Sequence, residues 1–442
     1  MKIKMIAAAI AALSTASVFA APLNPATATT YLTYYVGGAT AQAQAIAVVA
    51  PTLFANPADV VKITQSVGNK ATAWYGMSLA TSAAPSQPLL VVYNNTNGSF
   101  AGFNQLINTI SPSPLAEAYV LKIGAAGDTL SCNLVTAPYS CTTADASKDK
   151  FIQLDLALTD VYPTEAVGGV VKFGQGGNLA QGAITTVPTA LEGFGVAVNP
   201  LLYKALQASQ GLTVGSLLPA DQPNVSSADY ASLVSEQGAI KTAAQLFQNS
   251  DANDIFYERR VDTSGSQAAS NIFFLSNVCG TSGFGGALTP VNLGDVSPGA
   301  FEVVLNSGTG NVKTALTGTA VVGYGIGVMS LENSPSLTSA TSWQWVKLDG
   351  VSPNYVNGVA DALQRTAVAN GAYKFAVEMS ASYRNNIDPI NKAFNTLMID
   401  GIKNSNLHNL VGVAYLDGVV ANQQARYNRS GNNCSPLIDT NY

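Results

Sequence analysis

Short apolar runs that end in glycine or polar turns and lead straight into helix-like segments recur along this chain. That pattern constrains its fold more than any other feature. Thr30 to Val36 (TYLTYYV) is rich in β-formers, runs into Gly37-Gly38-Ala39-Thr40, and is followed by a helical segment from Ala41 to Ala50 that Pro51 stops. Pro88 to Tyr93 is a continuous apolar run, as for a strand buried on both faces. It ends in the polar turn Asn94-Asn95-Thr96-Asn97-Gly98-Ser99, and a helical pattern through Phe103, Leu106 and Ile107 follows. Phe151 to Leu158 is a third run, ending at Thr159-Asp160 before Pro163, and Ile255-Phe256-Tyr257 a fourth, leading to a helix over Gln267 to Leu275. Such alternation gives an α/β fold built on a largely parallel sheet. Ligands in such sheets gather outside the carboxyl ends of the strands, although ordinary βα connections leave the same trace.

Other segments fill in the picture. Ala183 to Pro188 and Gly193 to Asn199 read as paired β segments, leading into a helix from Leu201 to Gln210 that Gly211 ends. Gly323 to Val328 and Tyr373 to Met379 read as strands. Pro389 to Asp400 reads as a C-terminal helix with Asp388 at its N-cap and proline at the tolerated first position. Two stretches, 111–150 and 280–316, fit this pattern poorly and read as β-rich insertions. No internal repeat is evident.

The first twenty residues read as a cleaved export signal. Lys2 and Lys4 are followed by an apolar and small-residue stretch to Phe19, too short to span a bilayer, and Val18-Phe19-Ala20 fits a small-residue cleavage site. No cysteine lies near the cut to carry a lipid. Removing the two lysines takes the formal net charge from −5 to −7, so the expected product is an exported protein, periplasmic or secreted. The four cysteines then favour disulfides over metal ligation, because no CxxC occurs and His408 is the sole histidine. Of the three possible pairings we favour Cys132–Cys141 as a local hairpin staple, which leaves Cys279–Cys434 to tie the C-terminal tail to the body.

Only 11% of the residues are charged, against roughly a quarter in an ordinary domain. The acidic balance argues against a nucleic-acid partner. With one histidine and no activated nucleophile or metal-ligand cluster, an enzyme is not expected, and no cofactor is implied. Two places could cradle an anion. Gly37 to Thr40 joins a strand to a helix start, where free N–H groups and the positive helix end meet. Arg259-Arg260 stands shortly before Ser264-Gly265-Ser266 at another helix start, adding guanidinium donors and hydroxyls.

The order and spacing of these motifs resemble the periplasmic phosphate-binding proteins, the solute receptors of phosphate ABC importers, over most of the chain beyond the leader. Val36-Gly37-Gly38-Ala39-Thr40 looks like the family's first anion loop, Tyr93 to Gly102 its second, and Leu158 to Pro163 the segment with the ligand-accepting aspartate. Arg260 followed after three residues by Ser264-Gly265-Ser266 has the family spacing. Ile326-Gly327-Val328 resembles the strand that returns to the first lobe, and Leu348 to Pro353 the segment after it. Ala41 departs from the aromatic usual after the threonine, and Phe100 competes with Ser99 for the equivalent place.

The resemblance implies a two-lobed periplasmic-binding-protein fold of type 2, with residues 21–185 and 325–442 as one lobe and 186–324 as the other. It implies a cleft site of Thr40, Ser99 and Asp160 facing Arg260, Ser264, Gly265 and Ser266. Inorganic phosphate or a related oxyanion would be the ligand and an importer membrane complex the partner. Asp160, as the sole acceptor, would need a proton on the ligand and so favour hydrogen phosphate over sulfate. The competing expectation is a structural or adhesive surface protein on the same scaffold that self-associates, which suits the low charge and the Gly/Thr/Ala-rich insertions.

Overall fold

The computed structural model describes residues 21–65, 71–81, 83–95, 98–107, 121–124, 129–144, 153–167, 171, 173, 179–279, 286–288, 301–317, 322–404, 409–416 and 424–439. The expected export signal and His408 lie outside them. No helix among the described residues is long and apolar enough to cross a membrane.

One large mixed sheet organises the molecule. Its main strands are β1 (Leu32–Gly38), β2 (Val61–Gln65), β3 (Thr72–Met77), β4 (Pro88–Asn94), β5 (Ser131–Asn133), β6 (Ser140–Thr143) and β7 (Leu156–Thr159). They continue with β8 (Ile184–Val198), β9 (Ile255–Arg260), β10 (Phe301–Asn306), β11 (Tyr324–Ser330), β12 (Ala376–Arg384) and β13 (Val413–Tyr415). The spatial order is β10-β9-β11-β8-β12-β7-β1-β4-β3-β2-β6-β5, with β13 also against β8. β1 runs parallel to β4 and β7, and β9 parallel to β10 and β11. The helices used below are α1 (Ala43–Val49), α2 (Ser99–Ile107), α3 (Pro200–Ser209), α4 (Gly265–Leu275), α5 (Thr309–Leu316) and α6 (Pro389–Lys403).

The sheet is shared by two lobes with separate apolar cores. In the first, Tyr34, Val36, Val91 and Leu158 pack with Ile46 of α1 and with Phe394 and Met398 of α6. In the second, Val196, Tyr257, Ile326 and Trp345 pack with Leu202 of α3 and Leu275 of α4. Phe100 of α2 and Val161 after β7 join this second core. The two sides therefore meet through buried hydrocarbon. Asp388 starts its helix as expected, accepting from the Ile390 amide at 2.8 Å, and Asn199 does the same, accepting from the Leu202 amide at 2.9 Å, each with proline next in the chain.

β8 departs from the sequence reading. Its two halves do not pair with each other but form one strand of fifteen residues, about 50 Å long at roughly 3.3 Å per residue. Ile184 to Gly193 lies antiparallel to β12, and Phe194 to Val198 antiparallel to β11. Pro188 does not break it, because the register slips opposite Met379 and Ser380 and so absorbs the missing donor in a bulge. Gly193 and Gly195 do not break it either, since Leu331, Val368 and Trp345 fill the space a side chain would need.

The expected insertions also change status. The described part of 111–150 is a hairpin, β5 with β6, added at one sheet edge beside β2. Within 280–316, however, Phe301 to Asn306 and Thr309 to Leu316 form β10 and α5. These are the opposite sheet edge and a helix packed on it, integral parts of the second lobe. Both favoured disulfides are present, Cys132–Cys141 across the β5–β6 hairpin and Cys279–Cys434 joining the chain after α4 to the tail. The tail is seated by Asn433, which donates its Nδ2 to Glu165 Oε2 at 2.9 Å, and by Arg429, whose Nε donates to the Ala376 carbonyl at 2.9 Å.

Candidate functional site

The ends of β7 and β9 and the starts of α2 and α4 converge where the lobes meet. Asp160 follows the last residue of β7, and its amide donates to Ser99 Oγ, at the first turn of α2, over 3.4 Å. The Phe100 amide donates to the Thr263 carbonyl of the other lobe at 3.1 Å. Gly265, the first residue of α4, closes the gap. A Cβ there would stand 2.5 Å from Asp160 Oδ2 and 2.6 Å from Ser99 Oγ. Ser264 caps α4 without a side-chain hydrogen bond. The first amides of α4, which have no partner within the helix, present their positive end toward Asp160. Ser266 is buried in the same turn.

Arg260 ends β9 and is 4% exposed. Its Nη1 donates to Thr309 Oγ1 at 2.7 Å and its Nη2 to the Ser307 carbonyl at 3.2 Å, while Nε has no partner. Arg259 turns away, donating to the Leu288 carbonyl at 2.8 Å and pairing with Asp262. Of the two arginines only Arg260 senses Asp160. Burial pushes the Asp160 carboxyl up to about 6, while Arg260 and the Ser99 hydroxyl hold it back. Burial lowers Arg260, and Asp160 and Glu332 oppose that. Asp160 Oδ1 has no hydrogen-bond partner.

Ser99, Asp160, Arg260, Ser264, Gly265 and Ser266 are thus drawn to one junction. Thr40, unlike these, is exposed, in a short 3₁₀ turn before α1. From that segment Gln42 reaches the junction instead, fully buried, donating its Nε2 to the Thr159 carbonyl at 3.2 Å and leaving Oε1 unpaired. The glycines of this segment serve packing. Gly38, at φ +120°, has the Leu158 carbonyl where a side chain would start, and Gly102 of α2 has Gly38 itself there, so neither could carry one. The Ala39 amide is taken by the Leu158 carbonyl at 2.7 Å.

Two acids escaped the sequence reading. Glu192, on β8, is fully buried with both carboxyl oxygens unpaired, and Glu332 lies just after β11. Burial drives Glu192 well above the usual carboxylate range, and the neighbouring Asp160 and Glu332 push it further. Glu332 is raised to about 7 by burial, then by Asp160. Asp160 is therefore not the only acid or acceptor in this region: Gln42, bonded to the carbonyl of the preceding Thr159, keeps its Oε1 unpaired, and Glu192 and Glu332 are near enough to feel Asp160's charge. A lone glutamate inside the apolar run Val187 to Val198 was the available signal. Among the described residues no group of three or more His, Cys, Asp or Glu side chains could hold a metal ion.

No model of a known protein family matches this chain, and no curated protein does. Among solved structures, an ABC-type phosphate transport receptor from Vibrio cholerae shares 14% identity at a TM-score of 0.39. That match covers 83% of this chain and 93% of the receptor. A possible phosphate binding protein from Planctomyces limnophilus shares 10% identity at a TM-score of 0.36, covering 86% and 89%.

Proposed function

We propose that this chain is an exported solute-binding protein that holds a tetrahedral oxyanion, phosphate first among them, at the junction of its lobes. The observation that carries the reading is that Asp160, packed against the start of α4, and Arg260 are both buried, feel each other's charge, and each keep one polar atom unpaired. A guanidinium and helix amides donate to anion oxygens, and Asp160 accepts from a hydroxyl on the ligand. Hinging about β8 and β12, the strands shared by both lobes, would open and close the site. We take the second lobe to continue past β11 as far as Phe375, because Trp343, Trp345, Tyr373 and Phe375 pack in its core. Delivery to an ABC importer is part of this proposal.

One observation favours the surface-structural reading instead. Gly265 already touches Asp160 and Ser99, and the Cys279–Cys434 bridge ties the tail to α4, which suits a body that self-associates without opening. Titration calorimetry of the mature protein with phosphate and sulfate decides. Saturable phosphate binding supports capture. No heat at millimolar phosphate, together with assembly in ligand-free buffer, supports the structural role.

A further inference from the structure

The tail of the chain holds the lobes together a second time, away from Asp160. Asn433 is buried there. Its amide and its Nδ2 donate to the two oxygens of Glu165, at 2.7 and 2.9 Å, and its Oδ1 accepts from the Glu378 amide at 2.7 Å. Glu165 lies shortly after Asp160, on the segment that leaves β7 of the first lobe, and Glu378 is on β12, which both lobes share. The next residue of the tail, Cys434, is bonded to Cys279, just past the end of α4 in the second lobe. Helix α4 is therefore fastened to the first lobe's chain at both ends. Its start, Gly265, packs against Asp160, and its far end reaches Glu165 through the bridge and Asn433. With the bridge intact, α4 cannot swing away from Asp160 unless Asn433 is stripped from Glu165, which would cost a buried carboxyl group two of its donors. With the bridge open, the tail can stay on Glu165 and β12 while α4 departs.

We propose that Cys279–Cys434 is a redox-controlled latch on the lobes, opened by a dithiol reductant. The inference rests on the lobe opening proposed above, not on which anion is bound. Both cysteines of this bridge are half-buried, whereas in the other bridge Cys141 is 1% exposed. The bridge also borders an open cavity of about 410 Å³, walled by Phe273 and Leu437, whose two charged lining residues, Lys374 and Arg429, are both cations. Positive charge beside a disulfide favours the thiolate that must leave when it is attacked. One thiolate of the reductant attacks a bridge sulfur and forms a mixed disulfide, while the other cysteine departs as a thiolate. The second thiol of the reductant then displaces the remaining cysteine. Two electrons pass to the protein, the dithiol leaves as its own disulfide, and its two protons end on Cys279 and Cys434.

The test is hydrogen exchange on the folded, ligand-free protein. The Phe100 amide donates across the lobes to the Thr263 carbonyl and so reports their parting, while amides of β1 and β9 report unfolding of the lobes themselves. As dithiothreitol is raised, peptide mapping should find Cys279–Cys434 open before Cys132–Cys141. At that point Phe100 should exchange about tenfold or more faster relative to β1 and β9, and reoxidation should restore it. Cys279→Ser with Cys434→Ser should show the same ratio without reductant, and Cys132→Ser with Cys141→Ser should leave it at the wild-type value. Opening of Cys132–Cys141 first overturns the inference. So does an unmoved Phe100, or a Phe100 that accelerates only as much as β1 and β9, which would make the bridge a plain structural staple. Phosphate titration of the oxidised protein keeps the two readings apart: binding there with an unmoved Phe100 sinks the latch and spares the anion site.

Discussion

Replacing Gly265 with alanine probes whether the lobes touch in solution where the structure closes them. The new methyl would lie 2.5 Å from Asp160 Oδ2 and 2.6 Å from both Asp160 Cβ and Ser99 Oγ, where ordinary contact begins at 3.4 Å. The helix start must therefore retreat by about 0.9 Å, the difference between 3.4 and 2.5 Å. The obstructing atoms cannot step aside, because Asp160 Cβ is one bond from the backbone and Ser99 is buried at the start of α2. Overpacking of this kind costs about 1–3 kcal/mol, more than the gain of up to about 1 kcal/mol from removing a helical glycine. Urea unfolding measures it, with Gly182→Ala as control, since nothing lies within 4 Å of a Cβ there. We expect Gly265→Ala to lose stability and to weaken phosphate binding, and Gly182→Ala to stay within about 0.5 kcal/mol of wild type. A Gly265→Ala protein as stable as wild type would refute the contact and leave the lobes apart at this point.

Other outcomes follow from the same atoms. Folded-state values of about 6 for Asp155 and Asp160 and about 7 for Glu332 lie above the ordinary carboxyl values of 3.8 and 4.5. Their stabilisation is complete below pH 4 or so and is lost as pH rises through 6 and 7, so thermal melting of ligand-free protein should be higher near pH 5 than near pH 8. Asp160→Asn should flatten that slope, and an unchanged profile would count against a buried Asp160. Breaking Cys279–Cys434 with paired serines frees a 155-residue loop and should cost up to about 5 kcal/mol, read by chemical unfolding; no loss would mean the bridge does not form. In calorimetry Arg260→Ala should weaken phosphate binding by about 2–5 kcal/mol. Asp160→Asn should weaken it less while admitting sulfate, because the amide offers a donor where only an acceptor stood.

What the sequence disclosed was local. Strand ends followed by helix starts at Gly38, Ser99 and Gly265 could be read because turn residues and apolar runs act over a few positions. Asp388 and the proline after it announced α6 for the same reason. The continuity of β8 could not be read that way. Pro188, Gly193 and Gly195 look like interruptions until the slipped register with β12 and the packing of Leu331, Val368 and Trp345 are known. Gly37-Gly38 suggested an anion loop, yet Leu154, the Asn94 carbonyl and the Leu158 carbonyl require glycine there whether or not a ligand binds. Thr40 and Gln42 differ by half a turn, and only tertiary packing decides which of them faces inward. Glu192 lay in plain view as a lone acid in an apolar run, but which neighbours surround it depends on strands more than a hundred residues away.

The pairing of β8 also sets a timetable. Every strand that flanks it lies later in the chain, at 324–330, 344–345, 376–384 and 413–415. β7, likewise, is closed on one side by β12. A polypeptide emerging from the ribosome therefore cannot complete the middle of its sheet until nearly all of it has been made. Closing such long loops is entropically expensive, and domains dominated by distant pairings fold slowly. The exposed ladder of β8 then waits for partners throughout synthesis. If the chain is exported as proposed, that delay would be useful, because the middle of the sheet could close only after the C-terminal third had crossed.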